Sequence, residues 1–224
     1  MHRSTRLAIA VATVAVASPQ LHAQTCLGLP AASVASRNLT LIAAFPEGQS
    51  SFGARLGGIG KSGVFAGLST SYSSFDAVDA SALGIGVEVG KELSLAPESA
   101  VRVCPIAGAN FVFGPNLDFG GGDEIKTNSF VGSVGGAMGG VISASPGLSL
   151  VPFASLSLAY VNVRATFDGE SESGSETGGA LGVGIGLSFK DRLIVRPGIS
   201  KSFGFDDDSE ALISIGVSFA IGRR

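Results

Sequence analysis

Residues 181–189 place Leu181, Val183, Ile185, Leu187 and Phe189 at alternate positions, with Gly182, Gly184, Gly186 and Ser188 between them. Residues 213–221 repeat the pattern, Ile213, Ile215, Val217, Phe219 and Ile221 against Ser214, Gly216, Ser218 and Ala220, and residues 83–90 follow it too. A period of two marks a strand with two unlike faces. A strand with one face in water would normally set Lys, Glu or Thr against its apolar face, because these are soluble and suit a strand better than Gly. Here Gly and Ser fill that face. The pattern predicts a closed barrel with hydrocarbon outside and a narrow, weakly polar interior.

The first 23 residues read as a cleavable signal segment and stand outside the fold. Arg3 and Arg6 form a basic start, residues 7–17 an apolar core, and Leu21-His22-Ala23 a small-residue cleavage site. The apolar core is too short to span a bilayer as a helix, and no later run approaches the roughly 20 residues needed, so any membrane embedding must come from strands. A lipoprotein anchored through Cys26 is the weaker alternative, because Ala23-Gln24-Thr25 lacks the Leu and the small residue expected before a lipidated Cys. The remaining chain reads as a short periplasmic N-terminal segment, 24–36, and one barrel domain, 37–224. A soluble domain carrying 33 glycines would struggle to offset its backbone entropy, which barrel closure could do.

Ten alternating segments are expected, at 37–45, 51–60, 63–73, 81–91, 99–113, 128–143, 149–167, 178–189, 192–204 and 210–221. Their connections alternate in character. Lys61-Ser62, 92–98, 144–148 and Lys190-Asp191 are mostly tight turns, whereas 46–50, 74–80, 114–127, 168–177 and 205–209 include long polar stretches. That rhythm predicts periplasmic turns and external loops, with both termini periplasmic. Of 18 acidic residues, 14 fall in or beside the five external loops: Glu47, Asp76, Asp79, Asp118, Asp123, Glu124, Asp168, Glu170, Glu172, Glu176, Asp206, Asp207, Asp208 and Glu210. Two places resist the scheme. The apolar face of 149–167 shifts from Leu156, Leu158 and Tyr160 to Val161 and Val163, which predicts a bulge near Tyr160. Lys201 has lipid-facing parity and belongs near the outer headgroups, where its stem can snorkel.

With these features the chain resembles small bacterial outer-membrane β-barrel proteins of 8 to 12 strands. The most specific likeness is the last strand, Ser214-Ile215-Gly216-Val217-Ser218-Phe219-Ala220-Ile221, which is similar to the family's C-terminal assembly signal in Ser214, Gly216, Phe219 and Ile221. The resemblance implies recognition by the barrel-assembly machinery and residence in the outer membrane. One departure is that Ile221-Gly222-Arg223-Arg224 follows Phe219, where the family often ends on an aromatic residue. Outer-membrane proteases and lipases of this architecture generally need a His, and both histidines, His2 and His22, lie in the signal segment. A non-enzymatic protein is expected, structural or a narrow porin-like passage, monomeric by default, with no cofactor and no nucleic-acid partner. The rivals are a surface module binding ions or partners through its acidic loops, and a secreted soluble β-sandwich.

Gly57-Gly58-Ile59-Gly60-Lys61-Ser62 fails as a phosphate loop, because its spacing requires Gly at Arg55 and no helix pattern follows. Asp206, Asp207, Asp208 and Glu210 could chelate a hard cation, yet lack the spacing of a dedicated calcium loop. Arg55, Glu88, Arg102 and Arg196 share the small-residue face and are expected in the lumen. A hairpin centred on Leu95 would set Glu88 opposite Arg102 as an ion pair. Cys26 and Cys104, the only cysteines, are expected to form a disulfide in an oxidising compartment, folding the N-terminal segment back into the barrel mouth.

Overall fold

The computed structural model describes residues 25–29, 37–46, 48–60, 62–75, 80–96, 99–118, 124–190, 192–205 and 211–221. Ten strands form the wall: β1 (Arg37–Phe45), β2 (Gln49–Ile59), β3 (Val64–Phe75), β4 (Ala80–Lys91), β5 (Val101–Asp118), β6 (Glu124–Gly140), β7 (Leu148–Phe167), β8 (Glu170–Phe189), β9 (Leu193–Phe203) and β10 (Leu212–Ile221). Each pairs antiparallel with its sequence neighbours, and β10 returns to β1 in a register from Arg37↔Ile221 to Phe45↔Ile213, so the sheet closes. Two short strands, Leu93–Ser94 and Ile142–Ser145, extend β5 and β7 at the end that carries the tight turns, called here the near end.

The expected faces are observed. Leu181, Val183, Ile213, Ile215, Ile85 and Val87 point outward and are exposed, while the Gly and Ser residues between them point inward. An uninterrupted apolar surface around a closed sheet far exceeds what a soluble monomer exposes, and identifies this as a transmembrane barrel. Aromatic side chains gather toward the opposite, far end of the outer surface. Phe45 and Phe52 meet edge to face with centroids 6.4 Å apart, Tyr72 lies opposite Phe52, Phe111 and Phe130 meet at 5.0 Å, and Tyr160 and Phe203 continue the ring. Such a girdle marks the hydrocarbon–headgroup boundary. Outward-facing Lys201 lies two residues from the far end of β9, beside this girdle, where its stem can snorkel.

Two stretches expected as loops are strands. β5 and β6 continue to Asp118 and from Glu124, and β7 and β8 run on to meet at Asp168-Gly169, where both residues have positive φ, 48° and 79°. Two such residues form the tight hairpin turn that an Asp-Gly pair favours. Residues 170–177 escape the apolar-alternation criterion because both faces of this hairpin lie above the girdle, outside hydrocarbon. The bulge expected near Tyr160 is absent, for β7 keeps one register on both sides throughout that region. Val161 and Val163 break the sequence pattern because they are buried inside the barrel, whose far half is apolar. The irregularity lies instead in β5, between Phe113 and Asn116, next to a cis Gly114-Pro115 bond.

Val217 faces outward midway along β10, while Ser218 is 0% exposed and shares a 2.8 Å hydrogen bond with Thr40. Val217→Arg is expected to cost about 2–4 kcal/mol near the bilayer midplane, and Val217→Leu under about 1, in urea unfolding from lipid vesicles. Equal stability of the two variants would mean that this face does not meet hydrocarbon.

Candidate functional site

Four large side chains fill the near half of the lumen, Arg55, Phe65, Phe153 and Arg196, all buried. They fit because small residues face them. Arg55, on β2, stands opposite Ser69 on β3, and Gly67 on β3 stands opposite Glu88 on β4. The guanidinium crosses β3 above Gly67, where a β-carbon would lie 2.7 Å from it, and a second glycine, Gly57, lies closer still on its own strand. Arg55 Nε then donates to Glu88 Oε1 at 2.5 Å, its Nη2 is ion-paired with the same oxygen, and its Nη1 donates to Asn38 Oδ1 at 3.2 Å. Arg55 is 1% exposed and Glu88 6%. Arg196, 0% exposed, donates from Nη1 to the backbone carbonyl of Leu27 at 3.0 Å.

That carbonyl belongs to a segment inside the barrel. Residues 25–29 include a short 3-10 turn, Thr25–Leu27, against β5, β6 and β7, and are held by several unlike contacts. Cys26 is bonded to Cys104 on β5, with Cα atoms 6.1 Å apart, in an apolar cluster with Leu27, Phe65 and Ala137. Leu29 packs on Ile194. Gly28, at φ 86°, has its carbonyl oxygen against Gly186 of β8, only 1.9 Å from where a β-carbon at 186 would sit. Any side chain at 186 would push the segment out, so the glycine-lined face of β8 has a definite occupant. This is a plug, anchored covalently to β5 at Cys104 and by a charge-assisted hydrogen bond to β9 at Arg196, each three residues from the near end of its strand. The expected disulfide is present, and the described part of 24–36 lies in the lumen.

The far half holds no charged cluster among the described residues. Phe75, Ala82 and Val112 pack together, as do Val131, Val161 and Val163 with Phe205 from the β9–β10 connection. Ser51 shares a 2.8 Å hydrogen bond with Ser73, and Thr127 Oγ1 donates to the Pro115 carbonyl at 2.6 Å.

Of the four charged residues expected in the lumen, three are buried there, and two of these, Arg55 and Glu88, form an ion pair. Arg102 is not the partner of Glu88. The hairpin between β4 and β5 centres near residue 98 rather than on Leu95, so Glu88 lies opposite Gly108 and Arg102 opposite Ser94. Arg102 braces that near-end connection through Glu92 Oε1 at 3.4 Å, the Ser94 hydroxyl and the Ser99 carbonyl at 2.8 Å. Leu93–Ser94 continue the same register beyond β4. Asp206, Asp207, Asp208 and Glu210 lie outside the described residues. Among the described residues, Cys26, Glu92 and Cys104 are the three-ligand group close enough for a metal, and two of them are committed to the disulfide. Ser214 and Gly216 face the lumen and Phe219 and Ile221 face outward, on the strand that closes the barrel.

The lumen filling was beyond sequence reading for a specific reason. Arg55 meets Glu88 across an intervening strand, so two hairpin registers must be known before the pair can be named.

No protein-family profile matches the sequence, and no curated protein matches it. Solved structures do. The β domain of the Bordetella autotransporter BrkA shares 12% identity and a TM-score of 0.55, over 83% of this chain and 98% of that one. The translocator domain of the autotransporter NalP from Neisseria meningitidis shares 11% identity and a TM-score of 0.50, over 83% and 87%. At such identity the likeness is one of fold: the chain has the fold of bacterial outer-membrane β-barrels.

Proposed function

We propose that this protein resides in the bacterial outer membrane as a non-enzymatic, monomeric barrel, closed by its own N-terminal segment and structural in role rather than an open pore. Residues 1–23 serve as the export signal, the near end faces the periplasm, and the long hairpins stand outside the cell. The final strand, with Ser214, Gly216, Phe219 and Ile221, is the element the assembly machinery reads.

One observation carries the closed reading: the guanidinium of Arg196 is fully buried in the lumen and bonded to the plug carbonyl at Leu27. A water-filled passage at that level would solvate it. Ten strands give a narrow bore in any case, and two arginines, two phenylalanines and the plug cross-section consume it. A porin-like passage finds no comparable support. The acidic loops serve mainly to keep the outer surface hydrated and mutually repulsive.

Single-channel recording of oxidised, refolded protein in planar bilayers tests this. The expected result is no stable conducting level. Steady ohmic steps from the oxidised protein would replace the closed reading with the passage.

A further inference from the structure

β8 pairs with β7 over its whole length, from Glu170↔Phe167 to Phe189↔Leu148, but with β9 only from Gly179↔Phe203 inward. Among the described residues, 170–176 therefore pair on one side only. Among the described residues no strand lies on the other side. The separation of β9 from β8 is a built feature. The Phe203 ring covers Gly179 on the outside, Gly204 at φ 77° turns the chain, and the Phe205 ring covers Gly178 on the inside, where it packs with Val131, Val161 and Val163. β9 is thus clamped at its last residue, and β8 continues alone above the aromatic girdle. The seven residues 170–176, beyond the cover of Gly204 and Phe205, give about 23 Å of edge at ~3.3 Å each.

An open edge is a row of backbone donors and acceptors without a strand partner, and natural proteins usually blunt it with charged side chains, Pro or a bulge. Residues 170–178 contain neither Lys nor Pro, and the register of β8 on β7 is unbroken there. The edge does carry one discriminating feature. Ser171, Ser173, Ser175 and Thr177 occupy the outward face, whereas Glu170, Glu172 and Glu176 share the inward parity of β8. A strand added to this edge places every second side chain beside those carboxylates. A second copy of β8 would bring like charges together, which disfavours self-pairing; a strand with Lys or Arg at alternate positions meets opposite charge.

We propose that the free edge of β8 is a docking site for an extended basic segment of a partner polypeptide, taken up as an additional strand. Backbone hydrogen bonds supply the affinity, and alternating cations beside Glu170, Glu172 and Glu176 supply the selection. This stands apart from the closed-lumen reading, since the edge lies outside the barrel and an open pore would leave it unchanged.

The test uses full-length protein in phosphatidylcholine nanodiscs and a labelled nonapeptide of alternating Lys and Thr. Saturable binding by fluorescence anisotropy is expected, with amide hydrogen exchange over 170–176 slowed by about tenfold or more as new hydrogen bonds form. The same peptide N-methylated at alternate residues keeps its charge but loses donors, and should bind at least about tenfold more weakly. The combined change Glu170→Lys, Glu172→Lys and Glu176→Lys should weaken the unmethylated peptide to a similar degree. Equal binding of the methylated peptide would reduce the effect to charge attraction and overturn the proposal. So would unchanged exchange, or slow exchange without peptide together with dimers in sedimentation, which would mean that another copy covers the edge.

Discussion

Replacing Glu88 by Gln is expected to destabilise the barrel by about 3–5 kcal/mol, the range for removing one member of a buried ion pair and stranding the other. The carboxylate bonds Arg55, in a part of the lumen where that guanidinium is shut off from solvent. Gln has nearly the same shape, so packing over Gly67 survives and the change isolates charge. The buried Arg55 guanidinium would then be left without its carboxylate. Arg102→Ala should behave differently: that side chain is 30% exposed and its partner lies across the near-end connection, so a loss within about 1 kcal/mol is expected. Urea unfolding from lipid vesicles, followed by the gel shift of the folded barrel, measures both. A double-mutant cycle of Arg55 and Glu88 should show strong coupling. Equal, small losses for Glu88→Gln and Arg102→Ala would mean that water reaches the Arg55–Glu88 pair, and would also remove the support for a closed lumen.

Sequence patterning reached the wall of this barrel far better than its filling, for a physical reason. Outward positions answer to one uniform solvent, hydrocarbon, so Leu181, Val183, Ile213 and Ile215 each declare their face locally. Inward positions answer to particular neighbours on other strands. Gly67 is small because Arg55 lies over it, and Gly186 because the carbonyl of Gly28 does; neither reason is visible within its own strand. Val161 and Val163 show the same limit from the other direction. Apolar residues in an apolar far half looked like a change of face, though the ladder runs straight through them. The hairpin of β7 and β8 was missed where both faces meet water and alternation vanishes, although Asp168-Gly169 is a turn signal that could have marked it. The aromatic girdle was a further available signal, since Phe45, Phe52, Tyr72, Phe111, Phe130, Tyr160 and Phe203 align only after the strands are placed side by side. The disulfide was legible because it needed only two cysteines and a compartment.

Removing that disulfide by the double change Cys26→Ser and Cys104→Ser should cost about 2–4 kcal/mol, and the loop-closure estimate reaches roughly 4.5 kcal/mol for a separation of 78 residues. The loss should be larger for the plug than for the wall. Residues 26–29 hold to the lumen through Leu27, Leu29 and one bond from Arg196, and without the bridge these contacts must offset the entropy of ordering the whole segment. The wall keeps its ladders from β1 to β10 regardless. Hydrogen exchange should therefore rise at 25–29 by more than at β5, where Cys104 sits, and bilayer recordings should show intermittent openings that the oxidised protein lacks. Gly186→Leu, with the bridge intact, should release the same segment by steric conflict with the Gly28 carbonyl while leaving Cys26 tethered at the mouth. Comparing the two separates tether from fit: openings with both variants assign closure to the plug in its seat. Silent recordings from both, alongside raised exchange at 25–29, would instead assign closure to Arg55, Phe65, Phe153 and Arg196 alone.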